Sequence, residues 1–298
     1  MPPKYRFCRR PPPRSQRQVV QAPVAGPLSG EQRHPYRLTT EQETLVQGLT
    51  DKVILIAGGA TGLGAASAQR LANEGAQIVI GDLNLEGAEK TAAAINEAGG
   101  RSVAAQFDIS DDTSVEKLVA FSVRTYGGLD AVHINAGDMG SVSKDTDIVD
   151  IDLEVWDRTI AVNLRGHMLV TRHAIPELLA RGGGTIVYTS SIASFTGDPQ
   201  RPAYSATKAA INSLARHVAS RWGRDGIRAN AITPGLILTK EIEEGASPEL
   251  LQSLIARSRS TRGGRPSDIS SMVAYLMSDD GEWINGQVVN VDGGTVLR

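Results

Sequence analysis

Residues 53–64 read VILIAGGATGLG, an apolar run that passes directly into a cluster of glycines. A helical pattern begins at Leu63, so the stretch predicts a strand, a tight turn and a helix. Glycine at positions Gly58, Gly62 and Gly64 would let the chain turn sharply and bring backbone N–H groups close to a pyrophosphate at the helix N-terminus. The stretch therefore predicts a dinucleotide-binding turn. The alternative is a glycine turn that only joins a strand to a helix.

An acidic residue follows at the distance that such a turn requires. Asp82 ends the second apolar run, 20 residues after Gly62. Its carboxylate would accept hydrogen bonds from the adenosine ribose and repel a 2′-phosphate, for which neither Thr61 nor Leu83 supplies a cation. We therefore expect NAD (NADH) rather than NADP as the cofactor. The alternative is that Asp82 only caps a helix that starts near Leu85.

From residue 52 onward, short β-branched runs alternate with longer helical patterns. Continuous apolar strands separated by helices predict right-handed βαβ units and a parallel sheet covered on both faces. The expected fold is α/β: a doubly wound, Rossmann-type parallel sheet of seven strands. The predicted strands are 53–57, 77–81, 102–107, 129–134, 185–189, 227–233 and 287–291. The predicted helices are 63–74, 86–98, 113–126, 153–180, 203–222, 248–256 and 267–277.

The charge is divided unevenly along the chain. Residues 1–40 hold eight Lys and Arg against one Glu, a net charge of +7, so that residues 41–298 carry −9 of the total of −2. The first stretch is also rich in proline and has no hydrophobic period. We predict a basic, disordered extension at 1–48 and a Rossmann-type NAD-binding catalytic domain at 49–298. Alternatively, translation begins at Leu45 or Val46, which the intact mass of the natively expressed protein would decide.

The composition excludes several classes of function. With 41% hydrophobic and 21% charged residues the chain is an ordinary globular protein, and its net charge of −2 does not suggest a nucleic-acid partner. No apolar run approaches the roughly 20 residues needed to cross a bilayer, so no membrane partner is expected. The single cysteine, Cys8, fits a cytoplasmic protein. Arg9-Arg10 lacks the apolar segment of an export signal, and the prolines oppose a transit-peptide helix.

A serine pair and a Tyr–Lys pair are the candidates for chemistry. Ser190-Ser191 follows the fifth strand, and Tyr204 and Lys208 lie four apart on a predicted helix, hence on one face. Free tyrosine titrates near pH ~10. A tyrosine that acts as a base near neutrality therefore needs its pKa lowered by about 3 units, which corresponds to roughly 4 kcal/mol. An ammonium about 5 Å away, at a dielectric of about 20, supplies roughly 3 kcal/mol, and the helix N-terminus near Ala203 adds favourable potential. Alone, the Tyr–Lys spacing also arises by chance on exposed helices.

Taken together, these motifs resemble the compact, single-domain branch of the short-chain dehydrogenase/reductase (SDR) family over residues 50–298. The family's Thr-Gly-x-x-x-Gly-x-Gly loop is present with Ala57 in place of the threonine, and its Asn-Asn-Ala-Gly motif reads Ile-Asn-Ala-Gly at 134–137. Ser191 precedes Tyr204 by 13 residues, as the family pattern requires, so Ser190 is the less favoured serine. The catalytic residues that the resemblance implies are Asn163, Ser191, Tyr204 and Lys208.

The resemblance also implies the roles of these residues and the contacts of the cofactor. Tyr204 would exchange the proton, Ser191 would bind the substrate oxygen, Lys208 would hold the nicotinamide ribose, and Asn163 would hold a water that links Lys208 to solvent. The implied cofactor-binding residues are Gly58, Thr61, Gly62, Leu63, Gly64, Asp82, Leu83, Asp108, Ile109, Asn135, Ala136, Gly137, Tyr204, Lys208, Pro234, Gly235, Ile237 and Thr239.

The expected function is an NAD-dependent oxidoreductase that interconverts a secondary alcohol and a ketone. The substrate pocket is expected along 138–151, 192–201 and 236–262, where Met139 and Phe195 favour a lipophilic or cyclic substrate. The alternatives are a 3-oxoacyl thioester reductase, which Asp82 opposes, a non-catalytic NAD-sensing regulator, and RNA binding through the basic extension. The resemblance further implies a homo-oligomer, a tetramer or dimer, packed through its long helices.

No metal is expected, because no pair of histidines has metal-ligand spacing with a nearby acid or cysteine. We expect one histidine in a strand, His133, and the others at the surface or in the extension. Those others are His34, His167, His173 and His217.

Overall fold

The computed structural model describes residues 46–297. Seven strands form one sheet in which every neighbouring pair is parallel. They are β1 (Val53–Ala57), β2 (Gln77–Asp82), β3 (Arg101–Gln106), β4 (Ala131–Ile134), β5 (Gly184–Thr189), β6 (Ile227–Pro234) and β7 (Val288–Val291). Their order across the sheet is β3-β2-β1-β4-β5-β6-β7.

Helices cover both faces of the sheet. They are α1 (Gly62–Asn73), α2 (Leu85–Glu97), α3 (Asp112–Tyr126), α4 (Leu153–Ile160), α5 (Gly166–Ala180), α6 (Pro202–Trp222), α7 (Lys240–Gly245), α8 (Pro248–Ile255) and α9 (Pro266–Met277). Apolar residues of α3, α5 and α6 pack on one face, and those of α1, α2 and α9 pack on the other. Burial from both sides explains why β1 is apolar throughout. The predicted seven-stranded, doubly wound parallel sheet is confirmed.

The order of the strands reverses between β1 and β4. From β1 the chain moves outward to β2 and β3, and it then returns to β4 on the opposite side of β1. The loops that leave the carboxyl ends of these two strands therefore diverge, which opens a crevice above the sheet. The glycine turn follows β1 and the segment 135–137 follows β4, so both border this crevice.

The long helix predicted at 153–180 is interrupted. One turn of π-helix, Ala161–Arg165, separates α4 from α5 and contains Asn163. A π-turn inserts an extra residue into the helical repeat, which shifts the direction of side chains on either side. The short helix α7 was not predicted from the sequence, whereas α8 coincides with the helix expected at 248–256.

Of the extension predicted at 1–48, residues 1–45 lie outside the described part of the chain. Within the described chain, Leu49 is buried in the core, and the backbone N–H of Val46 donates to Glu74. None of the helices described between residues 46 and 297 is both long and apolar enough to cross a membrane.

Candidate active site

A cleft of about 690 Å³ lies above the carboxyl ends of the central strands. Seventeen of the eighteen residues predicted to contact the cofactor line it, although they come from six separate segments of the chain. Ser191 lines it as well. The cleft therefore brings together the phosphate turn and three of the four residues proposed for catalysis. Gly64, of the predicted cofactor residues, and Asn163, of the proposed catalytic residues, do not line the cleft.

The geometry of the glycine turn explains why it cannot carry side chains. Gly58 has φ +90°, and a Cβ there would lie 2.6 Å from the backbone nitrogen of Ala136. A Cβ at Gly64 would lie 1.9 Å from the carbonyl oxygen of Gly58, so this residue supports the turn from behind rather than facing the cleft. Gly62, at φ +56°, would meet only the Thr239 methyl group at 3.6 Å. The space beside it is open to a ligand.

The start of α1 and the end of β2 fit a dinucleotide. Thr61 precedes α1 without capping it through its side chain, so the first-turn N–H groups remain available to an anion beside the cleft. Asp82 accepts hydrogen bonds from the N–H groups of Ala60 (2.9 Å) and Asn84 (3.0 Å), and its carboxylate retains lone pairs toward the cleft that it lines. Asn84, not Asp82, caps α2 by accepting from Gly87, so the helix-cap interpretation of Asp82 is wrong.

Three side chains meet at the floor of the cleft. The Ser191 hydroxyl lies near enough to the Tyr204 hydroxyl to lower the pKa of the tyrosine. The Lys208 Nζ lies 5.5 Å from the centre of the Tyr204 ring and donates a hydrogen bond of 2.9 Å to the carbonyl of Thr189. Ser190 turns away, because its Oγ donates to the backbone carbonyl of Lys208 at 2.9 Å. The geometry thus favours Ser191 over Ser190 as the serine that faces a substrate.

The pKa of Tyr204 differs from the sequence-based expectation. Burial raises it, and this effect exceeds the lowering by the Ser191 hydrogen bond and the charge of Arg201. Burial also lowers the pKa of Lys208 to about 8, while its ammonium is directed at a carbonyl rather than at the phenol. The positive end of α6 also faces the Asp145 carboxylate, which accepts hydrogen bonds there, so it lowers the pKa of Tyr204 less than the sequence suggested. The protein without cofactor therefore does not lower the pKa of this tyrosine.

Asn163 lies behind the cleft, fully buried in the π-turn. Its Oδ1 accepts a hydrogen bond of 2.8 Å from the N–H of Asp138, which lines the cleft. Its Nδ2 is buried and has no hydrogen-bond partner in the structure. A buried amide donor of this kind is a suitable ligand for an ordered water.

The walls of the cleft match the expected substrate pocket in part. Met139, which is 66% exposed, lines the cleft, as do Glu241 and Ile242 of the segment that includes α7. Residues 192–201, with Phe195, do not line it. The sequence reasoning missed four lining residues: Phe107, Arg158, Val162 and Thr189. Two of these could have been found, since Phe107 directly follows β3 and Thr189 ends β5 on the same edge as the residues that were named.

The histidines are buried more often than expected. His133 lies in β4, as predicted, with its Nε2 2.9 Å from the Thr189 hydroxyl. The surface position predicted for His167 is wrong, because this residue is fully buried on α5 and stacks on Tyr188. Burial lowers the pKa of His133 to about 3 and holds that of His167 well below its usual value. No cluster of metal-ligating side chains occurs among residues 46–297.

Known proteins are similar to this chain in both sequence and fold. A family model described as "Enoyl-(Acyl carrier protein) reductase" matches residues 58–296. A probable short-chain type dehydrogenase/reductase of Bradyrhizobium diazoefficiens is 39% identical over 83% of this chain and 88% of its own length. Cis-4-hydroxycyclohexanecarboxylate dehydrogenase of Sinomonas cyclohexanicum is 34% identical over 83% of this chain and 98% of its own length.

A solved structure extends the similarity to the whole fold. The 7α-hydroxysteroid dehydrogenase complexed with NADH and 7-oxo glycochenodeoxycholic acid superposes with a TM-score of 0.78 and 29% identity, over 84% of this chain and 96% of that one. The fold and its cleft define a Rossmann-type oxidoreductase. The chain belongs to the short-chain dehydrogenase/reductase family, and the sequence-based prediction of this family is confirmed.

Proposed function

We propose that the chain transfers a hydride between NAD and the carbinol or carbonyl carbon of a cyclic secondary alcohol or ketone. The observation that carries the proposal is that Ser191, Tyr204 and Lys208 line one cleft together with the glycine turn, with the Lys208 Nζ 5.5 Å from the centre of the Tyr204 ring. The reaction class and NAD, both predicted from the sequence, are confirmed by relatives named as dehydrogenases of ring alcohols and by a relative bound to NADH.

The residues of the cleft would hold a dinucleotide along its length. The N-terminus of α1 would bind the pyrophosphate, and Asp82 would bind the adenosine ribose. Lys208 and Tyr204 line the floor of the same cleft and would hold the nicotinamide half. When bound there, the nicotinamide supplies or accepts the hydride and, when oxidised, brings a positive charge.

Each catalytic side chain would perform one task. Tyr204 would take the alcohol proton during oxidation and return it during reduction, while Ser191 would donate a hydrogen bond to the substrate oxygen as charge develops on it. Lys208 would hold the nicotinamide ribose and favour the phenolate of Tyr204, whose pKa is raised by burial in the protein alone. The free Nδ2 of Asn163 would bind a water on the path from Lys208 to solvent.

A cyclic, lipophilic substrate suits the wall of the cleft. Met139, Ile237 and Ile242 line it, and apolar residues outnumber the six charged residues of its lining. Substituted cyclohexanols and hydroxysteroids, the compound classes in the names of the relatives, have a hydroxyl group on an apolar ring. We infer that a ring alcohol of this kind is oxidised more efficiently than a linear alcohol of equal carbon number.

The test is a panel of cyclic and linear secondary alcohols, with NAD or NADP, followed by NADH absorbance. Tyr204→Phe should lower kcat by about 100- to 10,000-fold, because it removes the group that exchanges the proton. NADH binding, measured by fluorescence titration, should persist, and Tyr275→Phe on α9 is the matched control. Near-normal turnover by Tyr204→Phe would refute the mechanism. Preference for NADPH and a 3-oxoacyl thioester would favour the alternative reductase.

We also propose that the chain assembles as a homo-oligomer, a tetramer or a dimer. An apolar groove runs along α5 and α6, the long helices named from the sequence, and is lined by Leu164, Met168 and Leu214. Light scattering of the purified chain measures its mass in solution, and a monomer at all concentrations would contradict this proposal. A cytoplasmic location, expected from the sequence, stays a prediction.

A further inference from the structure

The helix that carries Tyr204 and Lys208 begins without a cap of its own. The residue before it, Arg201, has φ +63° and makes no capping hydrogen bond through its side chain. Within the first turn, Pro202 has no N–H, and the N–H of Ser205 is bound by the carbonyl of Arg201. The N–H groups of Ala203 and Tyr204 therefore need acceptors from another part of the chain.

Asp145 supplies both acceptors from a loop almost 60 residues earlier. Its Oδ1 accepts from the N–H of Ala203 at 3.3 Å, and its Oδ2 accepts from the N–H of Tyr204 at 2.8 Å. The carbonyl groups of Asp145 and Thr146 accept the N–H of Arg201 at 3.0 and 2.9 Å. The backbone on both sides of the helix start is thus bound to one short segment.

The Asp145 side chain is held by the backbone alone. The residue is only 3% exposed, and no ion pair of the described residues involves it. Its negative charge is satisfied by two N–H donors and the positive end of α6. Burying a carboxylate without such partners would cost free energy, so the buried position of Asp145 depends on the N–H groups at the start of α6.

The same loop begins at the wall of the cleft. Asp138 and Met139 line the cleft, and the N–H of Asp138 donates to Asn163. The segment 138–146 is therefore bound to the π-turn at one end and to the backbone of Tyr204 at the other. Asp145 therefore joins this wall of the cleft to the backbone of Tyr204.

We propose that Asp145 is a positioning residue: it holds the wall segment 138–146 to the start of α6 and thereby fixes the Tyr204 hydroxyl against Ser191 and the substrate. The inference rests on the proposed function, since Tyr204 is the group that it positions. A misplacement of about 1 Å at a reacting group lowers a rate by about 100-fold. The residue itself touches neither substrate nor cofactor in this assignment.

The experiment compares Asp145→Ala and Asp145→Asn with Asp147→Ala. Asp147 is the matched control, because it is exposed in the same loop and accepts only from the nearby N–H groups of Val149 and Asp150. We expect Asp145→Ala to lower kcat per NADH-binding site by about 10- to 100-fold, with an unchanged Kd for NADH. Asp145→Asn, which keeps one acceptor oxygen, should recover most of the loss, and the control should be unaffected.

Hydrogen exchange of the same variants tests the contact independently of turnover. In Asp145→Ala, exchange should accelerate in both segments 138–146 and 202–208, because they are held by one side chain. A normal kcat per NADH-binding site in Asp145→Ala would overturn the proposal, even if a smaller fraction of the variant protein binds NADH. If the wild-type chain oxidises no alcohol, the proposed function fails. In that case, unchanged hydrogen exchange in Asp145→Ala would also overturn the contact between Asp145 and α6. Faster exchange in both segments would uphold this contact.

Discussion

Ser190 and Ser191 follow β5 in extended backbone, so their side chains point in opposite directions. Ser190 is buried and binds the carbonyl of Lys208, which fixes α6 against the sheet. Ser191 lines the cleft together with Tyr204. Two identical, adjacent residues therefore carry a structural role and a proposed catalytic role, and only their orientation separates the two.

Alanine at each serine should give different results. Ser191→Ala should lower kcat by about 100-fold, because it removes the donor to the substrate oxygen. Ser190→Ala should cost about 1 kcal/mol of the free energy of unfolding, because one buried hydrogen bond is lost, and leave most of kcat. Steady-state kinetics and urea unfolding of both variants measure these effects. If Ser190→Ala lost the greater part of kcat, the assignment of the two serines would be reversed.

At the scale of elements, the sequence predicted what depends on local pattern. Continuous apolar runs located all seven strands, and the order of motifs placed the glycine turn, Ser191 and α6 at one edge of the sheet. The interruption of the long helix at the π-turn has no local signal, since its residues suit an ordinary helix. The contact of Asp145 with α6 joins positions 59 residues apart, and no periodicity reports such pairing. The orientation of Phe195 likewise depends on a short turn after β5.

The π-turn gives Asn163 one hydrogen bond and one unpartnered donor, and one substitution removes both. Its Oδ1 holds Asp138 at the cleft wall, and its buried Nδ2 is available to water. We expect Asn163→Ala to lower kcat for alcohol oxidation by about 10- to 100-fold and to increase the solvent isotope effect, because proton release becomes slower. NADH binding, set by the glycine turn, should change little. An unaltered isotope effect with normal kcat would exclude Asn163 from the proton path.

At the scale of the whole molecule, polar side chains are buried at several positions of the apolar core. The Thr171 hydroxyl bonds to the Tyr188 hydroxyl at 2.8 Å and to the carbonyl of His167 at 2.8 Å. On the neighbouring strand, His133 contacts the Thr189 hydroxyl. Both histidines are fully buried, and neither contacts a carboxylate, so the fold tolerates them only as neutral rings.

The two buried histidines should make stability depend on pH in a defined window. The pKa of His133 is lowered by burial to about 3 and that of His167 lies well below its usual value, whereas the unfolded chain binds both protons near pH ~6.5. Stability is therefore full above pH ~6.5 and falls as the pH decreases below it. Between pH 7.5 and 5.5 each histidine should cost about 1.4 kcal/mol of the free energy of unfolding.

Urea unfolding at pH 7.5 and 5.5, at one protein concentration, measures this difference directly. His167→Leu and His133→Val should each reduce the difference between the two pH values by about 1.4 kcal/mol, whatever their effect on stability at pH 7.5. Ser253→Ala, on the exposed side of α8, is the control and should leave the difference unchanged, because it removes no titratable group. The ion pair of Asp268 does not interfere, because the Arg262 side chain lowers the pKa of Asp268 to about 2, below this window. A wild-type chain equally stable at both pH values would mean that the buried rings accept protons in the folded state.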